Sequence, residues 1–224
     1  MPTRGPLRRQ GVETRAKLLD AAVPALAENG YHATRVDDIV RLAGVSHGTF
    51  YLYFTNKEDL FRTLAERCAD EADALAGSLG VVDAGAAGVA TLRAWLAEFL
   101  AFYRRYGVVI RAWAENQVTD QALARLGAAS FERITATLQA SMAGRPEGRS
   151  EGGADAALEG GLEGDPRPRL ELRSAALLAM IERFAYVTTS RDLGFGEDVL
   201  LDNLALVVHR GFFRPRSVRS APVA

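Results

Sequence analysis

Between Gly44 and Lys57 the chain sets out hydroxyls at Ser46 and Thr49, an imidazole (His47), two phenols (Tyr51, Tyr53) and an ammonium (Lys57). Hydroxyls, phenols and a helix N-terminus suit phosphate oxygens, and side chains on a helix laid in the major groove reach base edges. The same stretch offers a different chemistry. Gly44, Ser46 and Gly48 spell G-x-S-x-G, a nucleophile-elbow pattern, and Asp198 and His209 follow in the chain order of a hydrolase triad. An elbow needs a strand before its serine, yet residues 35–43 carry helical rather than alternating periodicity. A serine hydrolase built on Ser46 is therefore the weaker reading, and no enzyme is expected.

The elements that would hold these groups are helices. Leu18, Leu19, Ala22, Val23 and Leu26 share one face of a segment at 13–29, which stops at Asn29-Gly30. Pro24 within it removes one main-chain bond and predicts a kink. Thr34 suits the N-cap of a short helix carrying Val36, Ile39, Val40 and Ala43, ended by Gly44, and Ser46 suits the cap of a third. On that third helix Phe50 and Phe54, four apart, turn inward. His47, Gly48, Thr49, Tyr51 and Tyr53 are thereby turned outward. Three short helices with a glycine-containing turn between the last two form a helix-turn-helix pattern. Longer helical segments follow at about 57–78, 87–106, 108–142 (broken near 118–120), 170–190 and 197–213. The fold class is all-α: a three-helix module at 13–60 followed by a larger helical domain at 61–215. Residues 1–12 read as a flexible basic arm, 143–169 as a flexible Gly-rich insertion and 216–224 as a flexible tail.

Residues 34–62, TRVDDIVRLAGVSHGTFYLYFTNKEDLFR, resemble the DNA-binding region of the tetracycline-repressor (TetR) family of bacterial regulators. Thr34, Ile39, Ala43, Gly44, Val45, Ser46, Gly48, Thr49, Tyr51, Tyr53, Phe54, Lys57 and Leu60 match the family pattern, and Val40 departs from its usual small residue. The resemblance covers about residues 13–62. It implies contact with double-stranded operator DNA through Thr34, Arg35, Ser46, His47, Gly48, Thr49, Tyr51, Tyr53 and Lys57. It also implies a homodimer on a palindromic site and a regulator, more often a repressor, released by a small-molecule effector. Of the 27 Lys and Arg residues only Lys17 and Lys57 are Lys, which leaves 25 Arg. A lysine at 57 in so Arg-rich a chain points to a compact charge, expected on a phosphate.

Composition agrees with a soluble chain. The net charge is −1, but residues 1–17 hold Arg4, Arg8, Arg9, Arg15 and Lys17 against Glu13 alone, so an anionic partner is compatible with neutrality. One cysteine (Cys68) and three scattered histidines suggest neither a disulfide framework nor a metal site, and no cofactor is implied. The chain lacks a secretory or spanning apolar run, so the expected compartment is the cytoplasm, away from the membrane.

An aromatic-rich bundle interior suits a pocket for apolar or aromatic ligands. The candidate lining is Cys68, Trp95, Phe99, Phe102 and Tyr103, with Trp113, Phe131, Met180 and Phe184 further along. The apolar faces near 170–190 and 197–213, with the family resemblance, place the dimer surface at Leu177, Ile181, Leu200, Leu204, Val207 and Val208. A ligand-independent DNA-binding protein is the alternative within the same class.

Overall fold

A computed structural model describes residues 5–114, 121–143 and 167–213. Those residues are helical with turns between, and among them there is no strand. The helices are α1 (Gly5–Ala33), α2 (Val36–Ala43), α3 (His47–Tyr51), α4 (Lys57–Ser78), α5 (Ala86–Ala114), α6 (Gln121–Ala143), α7 (Arg167–Ser190) and α8 (Glu197–Val208), the last running into a π-helical turn, His209–Phe213. No helix among the described residues is long and apolar enough to cross a membrane.

The chain divides into two compact units. One holds the residues up to Ala72 together with Phe102–Phe131; the other holds Asp73–Ala101 and the residues from Glu132 onward. The boundary expected at 60–61 is therefore displaced. Leu18, Leu26, Ile39, Phe50, Phe61 and Leu64 share one core with Tyr106, Val109, Ala112 and Leu123, so the three short helices do not close a core alone. A module of some 50 residues has too little apolar surface to do so comfortably.

Helix α1 begins at Gly5, so the residues taken as an arm continue the helix from there. Its interior break is at Gly30 (φ 75°, ψ 167°), not at Pro24. The Thr34 amide returns to the Gly30 carbonyl at 3.1 Å and closes the turn. Gly44 ends α2 in the left-handed region (φ 66°, ψ 36°), where its amide and that of Val45 reach back to Arg41 and Val40. Asn56 caps α4, its Oδ1 accepting from the Asp59 amide at 2.8 Å, and Asp59 Oδ2 accepts from the Thr55 amide at 2.9 Å in the segment before the helix.

The break expected between 106 and 108 is absent, and α5 passes straight through Gly107. That glycine answers a close approach. A Cβ there would stand 2.9 Å from the Tyr103 ring, and one at Gly127 would stand 2.9 Å from the Trp113 indole, which donates to the Leu123 carbonyl at 2.8 Å. A polar network ties α1, α4 and α5 within the first unit. Arg67 donates to Asp20 (2.9 Å) and Glu71 (3.2 Å), and the Tyr106 hydroxyl donates to Glu71 at 2.7 Å. Burial, then the bond to Glu71, raises the Tyr106 phenol above its ordinary value. In the second unit the Trp95 indole donates to the Leu75 carbonyl at 2.7 Å, and Arg93 of α5 pairs with Asp198 and Asp202 of α8. The expected insertion at 143–169 lies outside the described residues except at its helical ends, as does the tail at 216–224.

Candidate nucleic-acid interface

The surface made by α2, the turn and α3 follows from two buried rings. Phe50 and Phe54, fully buried and 5.7 Å apart, anchor α3 to the core. A helix pinned on that side must present the opposite one, and His47, Gly48, Tyr51 and Leu52 are exposed. Ser46 starts the helix: its Oγ accepts from the Thr49 amide at 3.1 Å and lies 2.9 Å from the Thr49 hydroxyl. A single-turn helix has most of its amides unpaired at its start, so this cap fixes its direction. Thr49 is half-buried. A Cβ at Gly48 would make an ordinary contact with Ser46 Oγ, at 3.8 Å.

The His47 ring is held from α2, where its Nε2 meets a carboxylate oxygen of Asp37. Sequence spacing did not foretell this partner, ten residues away on another helix. Tyr53 is half-buried, with its hydroxyl 3.5 Å from where a Cβ of Gly11 would stand. Arg35 is exposed at the start of α2, its amide held by Asp38 Oδ2 at 3.0 Å. Arg15 lies over the Phe54 ring, 5.3 Å from its centroid.

Two expected phosphate ligands are turned elsewhere. Thr34 is buried at 1% exposure, its hydroxyl directed at the Gly30 (2.6 Å) and Ala25 (3.1 Å) carbonyls, so it caps the broken end of α1. The Lys57 ammonium donates to the carbonyls of Tyr31 (2.8 Å), Thr34 (3.0 Å) and His32 (3.3 Å). An ammonium has three protons, and these three carbonyls take them.

The elbow chemistry has no support in this geometry. Ser46 lies between two helices with its Oγ in a cap, Asp198 pairs with Arg93, and buried His209 is bonded to the Asp83 carbonyl at 2.8 Å.

The candidate pocket residues fall in both units. In the first, Cys68 and Tyr103 are buried, Phe102 and Trp113 are half-buried, and Phe131 is 48% exposed. In the second, Trp95 and Phe99 are buried and stacked 5.8 Å apart, and Met180 and Phe184 are half-buried. Burial pushes the Cys68 thiol up to about 12, with Glu71 adding to it. The candidate dimer residues divide too. Leu177, Ile181, Leu204 and Val208 are buried within the chain itself and cannot face a partner; Leu200 is half-buried and Val207 is 57% exposed. The apolar stripe on these helices is the core-facing one, and α8 leaves Val199, Leu206 and Val207 outside.

Such a three-helix surface, with one capped short helix presented by two buried rings, defines a helix-turn-helix protein. Residues 18–64 match the bacterial regulatory proteins of the tetR family. It is 54% identical over 48 residues to the fatty acid metabolism regulator protein of Bacillus subtilis (strain 168), a stretch that is 21% of this chain and 25% of that relative. Over 69 residues it is 36% identical to the regulator TtgR of Pseudomonas putida, covering 31% of this chain and 33% of TtgR. The curated relatives are thus matched over a quarter to a third of their length. The likeness in fold extends further. The crystal structure of the transcriptional regulator FadR from Bacillus subtilis, in complex with stearoyl-CoA, superposes with a TM-score of 0.58 at 20% identity, covering 88% of this chain and 98% of that one.

Proposed function

We propose that the chain is a transcriptional regulator that binds a palindromic operator as a homodimer, acts as a repressor and releases DNA when an apolar or aromatic small molecule binds its helical part. The observation that carries this reading is the face of α3: Phe50 and Phe54 are buried while His47, Gly48 and Tyr51 stand exposed, inside the segment that matches the family. His47, Tyr51 and Gly48 serve base and backbone approach, and Arg35, Ser46, Thr49 and Tyr53 border the phosphates. The dimer forms through the apolar residues that α8 leaves exposed, Val199, Leu206 and Val207, related by a two-fold axis. It works in the cytoplasm, needs no cofactor and catalyses no reaction.

A long-chain acyl-CoA is the first effector to try, because a fatty acid metabolism regulator shares the DNA-binding module and a stearoyl-CoA complex shares the fold. A ligand shifts the DNA equilibrium only by its differential affinity for the two states; a hundredfold preference is worth about 2.7 kcal/mol. Footprinting of the DNA upstream of its own gene, with and without stearoyl-CoA and simple aromatic compounds, tests the reading. Protection of an inverted repeat, lost on addition of one of them, is expected. Protection that no compound alters would leave ligand-independent binding in its place.

A further inference from the structure

We infer that Leu52 is a specificity-determining residue that reads the C5-methyl group of a thymine in the operator. The inference rests on the DNA-binding reading above and deepens it. At 79%, Leu52 has the greatest exposure among the large apolar side chains of the described residues, although the chain buries leucines at 18, 26, 60, 64, 92 and 96 to 2% or less. It directly follows α3 with helical dihedrals (φ −73°, ψ −22°) and its amide donates to the Thr49 carbonyl at 3.3 Å, so the helical turn continues through this junction and sets Leu52 about one turn beyond Gly48. Gly48 has no side chain to shade it, and Tyr51, 56% exposed, stands beside it.

The side chain has no donor or acceptor, so a phosphate gives it nothing. The base edges of the major groove present one apolar group, the thymine methyl. A leucine there therefore adds a thymine preference while remaining outside the core that holds α3.

The test is a cycle between protein and DNA. Wild-type chain is used to select a binding sequence from random duplexes, and each thymine of the selected half-site is then replaced singly by uracil, which lacks only the methyl. Removing one buried methyl-sized group costs about 0.8 kcal/mol, or about fourfold in affinity. One replacement should weaken wild-type binding about fourfold per half-site. Leu52→Ala should weaken binding to the thymine duplex by a similar factor and be indifferent to that replacement. Leu52→Met should keep the sensitivity. Leu52 makes little contact with the core, and circular dichroism confirms folding of each variant. The inference is overturned if Leu52→Ala responds to every uracil as wild type does, if wild type responds to none, or if the selected half-site has no thymine. Failure to enrich any sequence would instead overturn the DNA-binding reading on which it stands.

Discussion

The Lys57 ammonium lies 2.8 Å from the carbonyl oxygen of Tyr31 and 4.8 Å from the centroid of the same residue's ring. With the His32 and Thr34 carbonyls it closes the end of α1 left open by the break at Gly30. Cations are favoured at helix C-termini, and a compact ammonium converges on three oxygens where a planar guanidinium cannot. This accounts for a lysine in a chain that otherwise uses arginine. Lys57→Ala should lower unfolding stability by about 1–2 kcal/mol, the site being half-exposed, and Lys57→Arg should recover only part of it. Urea unfolding measures both. The salt dependence of DNA binding should stay as in wild type; a slope reduced by one phosphate equivalent would show that Lys57 leaves its carbonyls for the backbone of the duplex.

Gly30 should be intolerant of a side chain for backbone reasons alone. Its φ of 75° lies in the region that L-residues avoid, and no atom stands within 4 Å of where a Cβ would go. Gly30→Ala should cost about 1–3 kcal/mol in urea unfolding. A neutral result would mean that the turn rearranges freely.

Cys68 should be inert in the native protein and make stability fall in alkali. The unfolded chain loses the thiol proton near 9.0, whereas the folded chain keeps it to about 12. Between those values the native state binds more protons, so stability falls as pH rises. Melting temperature should drop across that window, and Cys68→Ala should make the drop shallower. A thiol reagent at pH 8 should modify the chain in denaturant and leave the folded chain unmodified; prompt native labelling would contradict the burial.

Two substitutions separate the core side of α8 from the proposed dimer face. Leu204 is 5% exposed and Val207 57%. Leu204→Asp buries an unpaired charge and should unfold the chain, at a cost of several kcal/mol. Val207→Asp should leave the chain folded and shift it from dimer to monomer in sedimentation. Dimers unaffected by Val207→Asp would place the interface elsewhere.

The helical class and the inward Phe50 and Phe54 were legible because helical periodicity and glycine stops are local signals. α4 ran from Lys57 to Ser78 as its pattern indicated. Gly107 misled because a glycine that ends a helix and one that admits a tyrosine ring look alike in sequence. The sequence points to Thr34 as the N-cap of α2, a place that Arg35 takes, and to Thr34 and Lys57 as phosphate ligands, because their carbonyl partners appear only once α1 breaks at Gly30. Asp37 beside His47 and the inward turn of Leu204 and Val208 are tertiary facts, settled by which helix packs on which.

Enrichment of duplexes from a random double-stranded library by the full chain, followed by anisotropy titration of the winning sequence with wild type and His47→Ala, tests the central claim most directly. An inverted repeat with half-sites about one helical turn, or a multiple, apart is expected, with His47→Ala altering preference at particular positions by about 1–3 kcal/mol. Binding that enriches no sequence, or a preference that His47→Ala leaves unchanged at every position, would contradict it.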